Sequence, residues 1–376
     1  MAERNLSIRL SVVDGGKFKA DLSEIGEKGE RSLKRIEAAS SPASSVFKRL
    51  SSATNDAKRK QTRRDKFLAE MDKVVPWARL SALIEPVYPK DPKAQRPKGK
   101  GGRPPYALET MLRIHFMQQW FALSDPAMEE ALYDIQSMRQ FAGLSLTRGG
   151  IPDETTILNF RHLLEEHKLA NRFLEEINAM LAERGLLLKQ GTIVDATFIE
   201  APTSTKNASG KRDPEMHQAK KGNNWHFGMK AHIGTDAESG LVHRVETTPA
   251  NEHDITVAHK LAHGEEKAVF GDAGYTGVEK CEDTQHIKAT WHVAMKPSKR
   301  KAIESECKRM SKTVEKLEYL KASVRSKVEH QFRIIKCQFG YRKTRYRGLV
   351  KNTAQIVTLF ALSNVWLVRS KLRSTG

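Results

Sequence analysis

Two aspartates of this 376-residue chain stand at the ends of apolar runs, where a carboxylate can do chemistry. Asp195 follows Ile193 and Val194, and Asp272 ends a run that starts at Val269. A carboxylate at the end of a buried strand is costly to desolvate unless it binds a proton, a cation or a hydrogen-bond donor. The carboxyl ends of adjacent strands are also where α/β sheets build their sites. The pattern therefore predicts that the two aspartates share one site.

A third carboxylate, Glu329, lies in a segment with helical spacing. Val328, Phe332 and Ile335 form a buried stripe, and an adjoining face carries Arg325, Glu329, Arg333 and Lys336. A carboxylate at the margin of a core could reach a metal ion while the neighbouring cations hold phosphates. The alternative is a row of helix salt bridges, each worth only about 0.2–0.5 kcal/mol.

We predict that Asp195, Asp272 and Glu329 are both the catalytic residues and the metal ligands. Hard oxygen ligands suit Mg²⁺, with Mn²⁺ as the alternative ion. Two such ions can activate a water or a 3′-hydroxyl for in-line phosphoryl displacement. The sequence contains no H-E-x-x-H, P-loop, G-x-S-x-G or dinucleotide motif that would point to another chemistry.

The charge is concentrated in two blocks of a chain with a net charge of +19. Residues 296–376 carry 21 Lys and Arg against 5 Asp and Glu, and residues 48–105 carry 16 against 6. Two basic blocks indicate a polyanionic partner, and DNA is the commonest one. An ordinary solvated surface is the alternative, since charge runs alone are weak signals. Neither block lies on a strongly apolar amphipathic helix, so we expect no membrane partner.

The elements that must position these residues change character along the chain. Residues 106–185 have a helical period, with Asp125 and Asp153 predicted as helix caps. This helical domain is interpreted either as a DNA-binding helix-turn-helix or as a structural bundle. Residues 186–372 alternate as strands before a long basic helix, which predicts an α/β domain with a mixed sheet. Asp254, in the stretch Asn-Glu-His-Asp, is interpreted as a helix cap rather than as a metal ligand.

The N-terminal third reads differently. Residues 1–47 are a polar segment ending in Ser, Ala and Pro, and they are interpreted as a foreign or flexible leader. Residues 48–105 combine a basic helix with a Pro/Gly/Lys-rich linker. Three well-separated cysteines exclude a disulfide framework and favour a reducing cytoplasm.

From Lys58 to about Leu372 the chain resembles DDE transposases of bacterial insertion sequences, of the insertion-sequence-five type. The stretches that carry the resemblance are Thr192-Ile-Val-Asp-Ala-Thr197, Gly271-Asp-Ala-Gly-Tyr275, Arg325 with Glu329 and Lys336, Lys58-Arg-Lys-Gln-Thr-Arg-Arg64, Pro152-Asp-Glu-Thr-Thr156, Ser204-Thr-Lys-Asn207, Lys211-Arg-Asp-Pro-Glu215 and Tyr346-Arg-Gly348. One departure is Ala322, which stands where the wider family signature has a tyrosine. The leader resembles the N-terminus of phage tail tape-measure proteins.

The resemblance implies a ribonuclease-H-like catalytic domain preceded by an all-α domain. It implies a transposase that binds terminal inverted repeats, cleaves DNA and joins the 3′-hydroxyl to target DNA, as a homo-oligomer in the synaptic complex. A nucleoid-associated, cytoplasmic bacterial protein is the expected setting. The predicted DNA- and phosphate-binding residues are Arg325, Arg333, Lys336, Arg59, Lys60, Arg63 and Arg64. The alternatives are an inactive or repurposed DNA-binding protein and a simple Mg²⁺-dependent nuclease.

Overall fold

The structure is a computed structural model and describes residues 60–89, 105–146, 150–207, 210–306 and 308–374. The leader, most of the linker and Arg59 lie outside the described residues. The described residues from Arg64 onward belong to one compact unit. In the described part of the chain, no helix is long and apolar enough to cross a membrane.

Seven helices precede the sheet in the described residues. They are α1 (Arg63–Val74), α2 (Trp77–Ile84), α3 (Leu108–Phe121), α4 (Asp125–Asp134), α5 (Gln136–Phe141), α6 (Glu154–Glu166) and α7 (Leu169–Glu183). Helix α3 is buried almost all round, because Phe116 and Trp120 pack among the aromatic rings of α2 and α5. Asp153 caps α6 as predicted, accepting the amide hydrogen of Thr156 at 2.8 Å.

The predicted cap of α4 is wrong by one residue. Ser124 is the N-cap, and its hydroxyl accepts the amide hydrogen of Ala127. Asp125 instead accepts hydrogen bonds from Gln118 and Arg161, at 2.8 and 3.1 Å. A carboxylate beside a buried guanidinium gains more from that charge than from a helix terminus.

In the part of the chain that the structure describes, six strands form one mixed sheet. They are β1 (Gly191–Glu200), β2 (His217–Lys221), β3 (Asn224–Asp236), β4 (Val242–Pro249), β5 (Ala268–Gly271) and β6 (Thr290–Val293). Strand β1 runs antiparallel to β3, which pairs with both β2 and β4, and parallel to β5, which pairs in parallel with β6. Apart from β2, which adds to β3, the strands in chain order are three antiparallel ones (β1, β3 and β4) followed by two parallel ones (β5 and β6). This is the ribonuclease-H-like order, so the predicted fold class is confirmed.

Helices cover the two faces of this sheet. A short 3₁₀ turn (Asp254–Val257) leads into α8 (Ala258–Leu261), and α9 (Pro297–Glu306), α10 (Lys308–Arg333), a π turn (Ile334–Gln338) and α11 (Leu349–Ser374) follow β6. Ile193 of β1 belongs to the larger core with α7, α10 and α11, whereas Val194 belongs to a smaller core with α8. Successive strand residues point to opposite faces, so β1 serves both cores. The first seven helices share the larger core with the sheet, α10 and α11. The predicted boundary at residue 185 between a helical domain and a catalytic domain therefore stays a prediction.

Helix α11 is held by a buried polar network. The Asn364 side chain accepts from the Val242 amide at 2.8 Å and donates to the Val242 carbonyl at 2.7 Å. It also donates to Asn178 of α7 and accepts from Gln331 of α10. One fully buried amide therefore joins the sheet to three helices.

Candidate active site

The two aspartates predicted from the sequence lie at matching positions of adjacent parallel strands. Ile193 of β1 is paired with Phe270 of β5, and Asp195 and Asp272 each follow two residues later. The register therefore brings both carboxylates to the point where the parallel pairing of β1 and β5 ends. Asp272 directly follows β5 as predicted, whereas the prediction that Asp195 ends its strand is wrong, because β1 continues beside β3 to Glu200.

Asp195 is held in an environment that opposes its charge. Its Oδ1 accepts the Ala196 amide hydrogen at 2.8 Å, and its Oδ2 lies 3.9 Å from Nη2 of Arg325. Burial, helped by the charges of Asp272 and Asp254, raises the pKa of Asp195 to about 6 against the opposing effects of Ala196 and Arg325. Asp195 therefore combines a raised pKa with a basic neighbour.

Asp272 is fixed by the turn that follows β5. Its side chain caps the 3₁₀ turn Ala273–Tyr275 and accepts the Gly274 amide hydrogen at 2.9 Å. A Cβ atom at Gly274 would lie 2.9 Å from Oδ1 of Asp272, so a side chain there would displace the carboxylate. The orientation of the Asp272 carboxylate thus explains the glycine two residues after it.

Tyr275 lies near the carboxylates of the site. Its ring is fully buried in the smaller core, and among the described residues its hydroxyl has no hydrogen-bond partner. Burial and the nearby charges of Asp254, Asp195 and Asp272 hold its pKa well above the ordinary value for tyrosine. Tyr275 is therefore a neutral hydroxyl beside a cluster of carboxylates.

Asp254 is a site residue that sequence reasoning missed. His253, not Asp254, occupies the N-cap position, so the interpretation as a cap is wrong. The Asp254 carboxylate accepts a hydrogen bond from Lys230 Nζ at 2.9 Å and lies 3.8 Å from Nδ1 of the buried His232. In the sequence, the Asn-Glu-His-Asp stretch was the signal that could have identified Asp254 as a site residue. The lysine that β3 supplies to this carboxylate is visible only in the structure.

Glu329 lies on α10, one turn after Arg325, and its side chain is exposed. The described residues contain no group of three or more His, Cys, Asp or Glu side chains that could hold a metal ion. The structure thus brings Asp195 and Asp272 together with Arg325, while the participation of Glu329 stays a prediction.

Lys336 ties the π turn after α10 to β1. Its Nζ donates to Thr197 Oγ1 at 2.7 Å and to the Phe198 carbonyl at 2.8 Å. This contact fixes the helix along the strand that carries Asp195. Arg333, also predicted to bind phosphate, is exposed.

The described basic residues at the N-terminal end lie on the surface. Lys60, Arg63 and Arg64 are exposed, and the Arg64 guanidinium lies over the Phe121 ring at 5.5 Å from its centroid. Their predicted contact with phosphates is compatible with this exposure and stays a prediction.

A mixed sheet of this order, with Asp195 in the middle of β1 and Asp272 directly after the adjacent parallel strand β5, defines a ribonuclease-H-like domain. Residues 187–365 match the family model described as "Transposase DDE domain", and residues 55–163 match "Transposase domain (DUF772)". The two matches span the sheet and the helical region, so the chain belongs to the DDE-type transposases.

One solved structure is similar over much of its length. It is described as "Cryo-EM structure of piggyBac transposase synaptic complex with hairpin DNA (SNHP)", with a TM-score of 0.41 and 11% identity. The match covers 82% of this chain and 73% of that one. A likeness of this size carries no weight for function.

Proposed function

We propose that this transposase is of the insertion-sequence-five type, binds the terminal inverted repeats of its element and cleaves phosphodiesters there. It then joins the freed 3′-hydroxyl to target DNA. The observation that supports the chemistry is the register of β1 and β5, in which Asp195 and Asp272 each follow the paired residues Ile193 and Phe270 by two positions, with Arg325 3.9 Å from Asp195.

The residues at this end of the sheet fit a divalent cation. Asp195 is largely buried, yet among the described residues Ala196 alone donates a hydrogen bond to its carboxylate, and Asp272 opposes its ionisation. Hard oxygen donors of this kind suit Mg²⁺, with Mn²⁺ as the alternative. We propose Asp195, Asp272 and Glu329 as the ligands. When bound, such an ion polarises a phosphoryl oxygen and activates the attacking hydroxyl.

The remaining residues position DNA. Arg325 reaches the carboxylate cluster from α10, so its guanidinium can hold a phosphate beside Asp195 in a bidentate contact. Lys336 orients α10 on β1, and Arg333 presents an exposed cation two turns after Arg325. Arg59, Lys60, Arg63 and Arg64 supply further phosphate contacts in this proposal.

The decisive experiment separates cutting from binding. Asp272→Asn keeps the oxygen that caps the turn but removes the charge, so duplex cleavage in Mg²⁺ should fall by roughly 10³-fold or more while DNA affinity stays within about threefold. Asp283→Asn changes an exposed aspartate in a nearby turn and serves as the control. Full cleavage by Asp272→Asn would refute the proposed site.

The alternatives predict other patterns. The exposed position of Glu329 favours an inactive DNA-binding protein, for which neither substitution should change any measured activity. A simple nuclease would cut but would not join a labelled 3′ end to a target plasmid. Strand joining by the unaltered chain, lost in Asp272→Asn, excludes both alternatives.

The setting is proposed on the same basis. The chain acts on double-stranded DNA as a homo-oligomer in the bacterial cytoplasm, at the nucleoid. Residues 1–47 are a leader, similar to a tape-measure N-terminus, that the transposase does not need. A chain lacking residues 1–45 should then bind and cut DNA like the full chain.

A further inference from the structure

A small cavity of about 20 Å³ lies where α3, α6 and α7 meet α11, and it shares no lining residue with the carboxylate cluster. Its lining includes His115 of α3, Arg161 of α6 and Gln355 of α11, which are 7%, 6% and 7% exposed. A cavity needs at least about 10–15 Å³ to hold one water molecule. The size therefore limits the cavity to a group no larger than a single water.

Each of these three side chains carries a buried polar atom that has no hydrogen-bond partner among the described residues. The atoms are Nδ1 of His115, Nε of Arg161 and Oε1 of Gln355. Buried polar groups in folded proteins are nearly always paired, because a group that has lost its water without gaining a partner destabilises the fold. Three such atoms around one cavity therefore indicate a bound group that pairs with all of them.

The charges around the cavity are balanced by the protein itself. Nη1 of Arg161 donates to Glu165 at 2.8 Å, and Nη2 donates to Asp125 at 3.1 Å. The other cation of the lining, Lys351, is exposed to solvent. A guanidinium between two carboxylates has little attraction left for an anion, and its remaining N–H group repels a cation. The bound group is therefore uncharged.

The unpaired atoms also define which hydrogen bonds the bound group must make. The Gln355 side-chain nitrogen donates to Oε1 of Gln119 at 3.2 Å, so the unpaired oxygen of Gln355 is an acceptor, whereas Nε of Arg161 can only donate. Burial lowers the pKa of His115 to about 4, so the ring is neutral at neutral pH, and Nδ1 accepts or donates according to the tautomer. A group with two donors and two acceptors satisfies both cases, whereas an apolar group satisfies neither.

We propose that the cavity is a binding site for one water molecule, which accepts a hydrogen bond from Nε of Arg161, donates one to Oε1 of Gln355 and pairs with Nδ1 of His115. Size, charge and hydrogen-bonding character all select this ligand. Three bonds are the usual number for a buried water, and waters held in this way are costly to remove.

The water joins helices from both sides of the sheet in the chain. His115 and Arg161 lie on helices that precede the sheet, and Gln355 lies on α11, which follows it. The Tyr346 ring lies over the same guanidinium, with its centroid 4.2 Å from the central carbon of Arg161, so the Tyr346-Arg-Gly348 stretch holds this arginine from a further side. The site is independent of the proposed DNA chemistry, because its lining contains none of the proposed metal ligands or DNA contacts.

A crystal structure of the full chain tests the site and the identity of its ligand together. Crystals grown in rubidium bromide should show density for one atom within about 2.7–3.2 Å of all three unpaired atoms. That density should give no anomalous signal at the rubidium or bromine absorption edge. A site without density would overturn the proposal, and an anomalous peak would do so as well, because it would identify an ion in place of the water.

Oxygen-17 relaxation dispersion, which counts long-lived waters in solution, provides a second test. Ala354 lines the cavity, so Ala354→Leu should fill it, and the variant should hold one long-lived water fewer than the unaltered chain. Ala127→Leu enlarges another half-buried helical alanine, outside the lining, and should keep the count. An unchanged count in Ala354→Leu, or the same loss in Ala127→Leu, would refute the site. If Ala354→Leu fails to fold, the crystal structure of the unaltered chain still decides the question.

Discussion

Replacing Asp195 by asparagine should make the metal-free protein more stable while it destroys cleavage. In the folded chain burial and Asp272 raise the pKa of Asp195 from 3.8 to about 6. As the pH rises, the unfolded chain therefore releases this proton at a lower pH than the folded chain does. The free energy of unfolding falls from about pH 4 and reaches its lower limit above pH 6. Two pKa units correspond to about 3 kcal/mol at pH 8 and to about half of that at pH 5.

The asparagine variant removes this cost and keeps an oxygen for the Ala196 amide. Urea unfolding, followed by tryptophan fluorescence in EDTA, should show a gain of about 1–3 kcal/mol at pH 8 that shrinks at pH 5. Added Mg²⁺ should stabilise the unaltered chain and not the variant. Asp283→Asn, at an exposed turn, should change stability by less than about 0.5 kcal/mol. A variant that is less stable than the parent at pH 8, or a gain independent of pH, would contradict the electrostatic account.

Three further predictions concern the whole chain. Asn364→Leu should destabilise it by about 2–4 kcal/mol in urea unfolding, because the Val242 amide and Asn178 lose buried partners; Asn159→Ala, at an exposed site, should not. Burial lowers the pKa of His115 to about 4, so the unfolded chain takes up a proton at this histidine before the folded chain does. The free energy of unfolding should therefore fall by up to about 3 kcal/mol as the pH drops from 6.5 to 4, and His115→Gln should reduce this pH dependence. DNA affinity should fall by roughly 100-fold or more between 50 and 200 mM salt, and a flat dependence would exclude extensive phosphate contacts.

The strands that carry the site could be predicted because their composition and period follow from burial. Asp195 and Asp272 each end an apolar run, and such runs form the centre of a sheet. Strand β2 was not predicted, since His217–Lys221 is polar and pairs with β3 alone. A strand of this kind is stabilised by its partner, and its own sequence carries no signal.

The rest of the site depends on contacts between distant segments. Helical period places Glu329 near Arg325, but it cannot say whether the carboxylate turns toward the aspartates or toward solvent. Asp254 was interpreted as a helix cap because its neighbours in the sequence offer no charged partner. Its actual partner, Lys230, lies 24 residues earlier in the chain, on β3. Local sequence predicts local hydrogen bonds, whereas these partners meet only through the sheet topology.

The network around Asn364 makes the fold depend on its last helix. Strand β4, α7 and α10 all form hydrogen bonds with the side-chain amide of Asn364, which follows Val242 by 122 residues. During synthesis β4, α7 and α10 are all made before α11, so their polar groups stay open to water until that helix has left the ribosome. A frameshift or stop codon anywhere before residue 364 therefore leaves the larger core unfinished. Such fragments should be degraded rather than persist as partial DNA binders that compete with the intact enzyme.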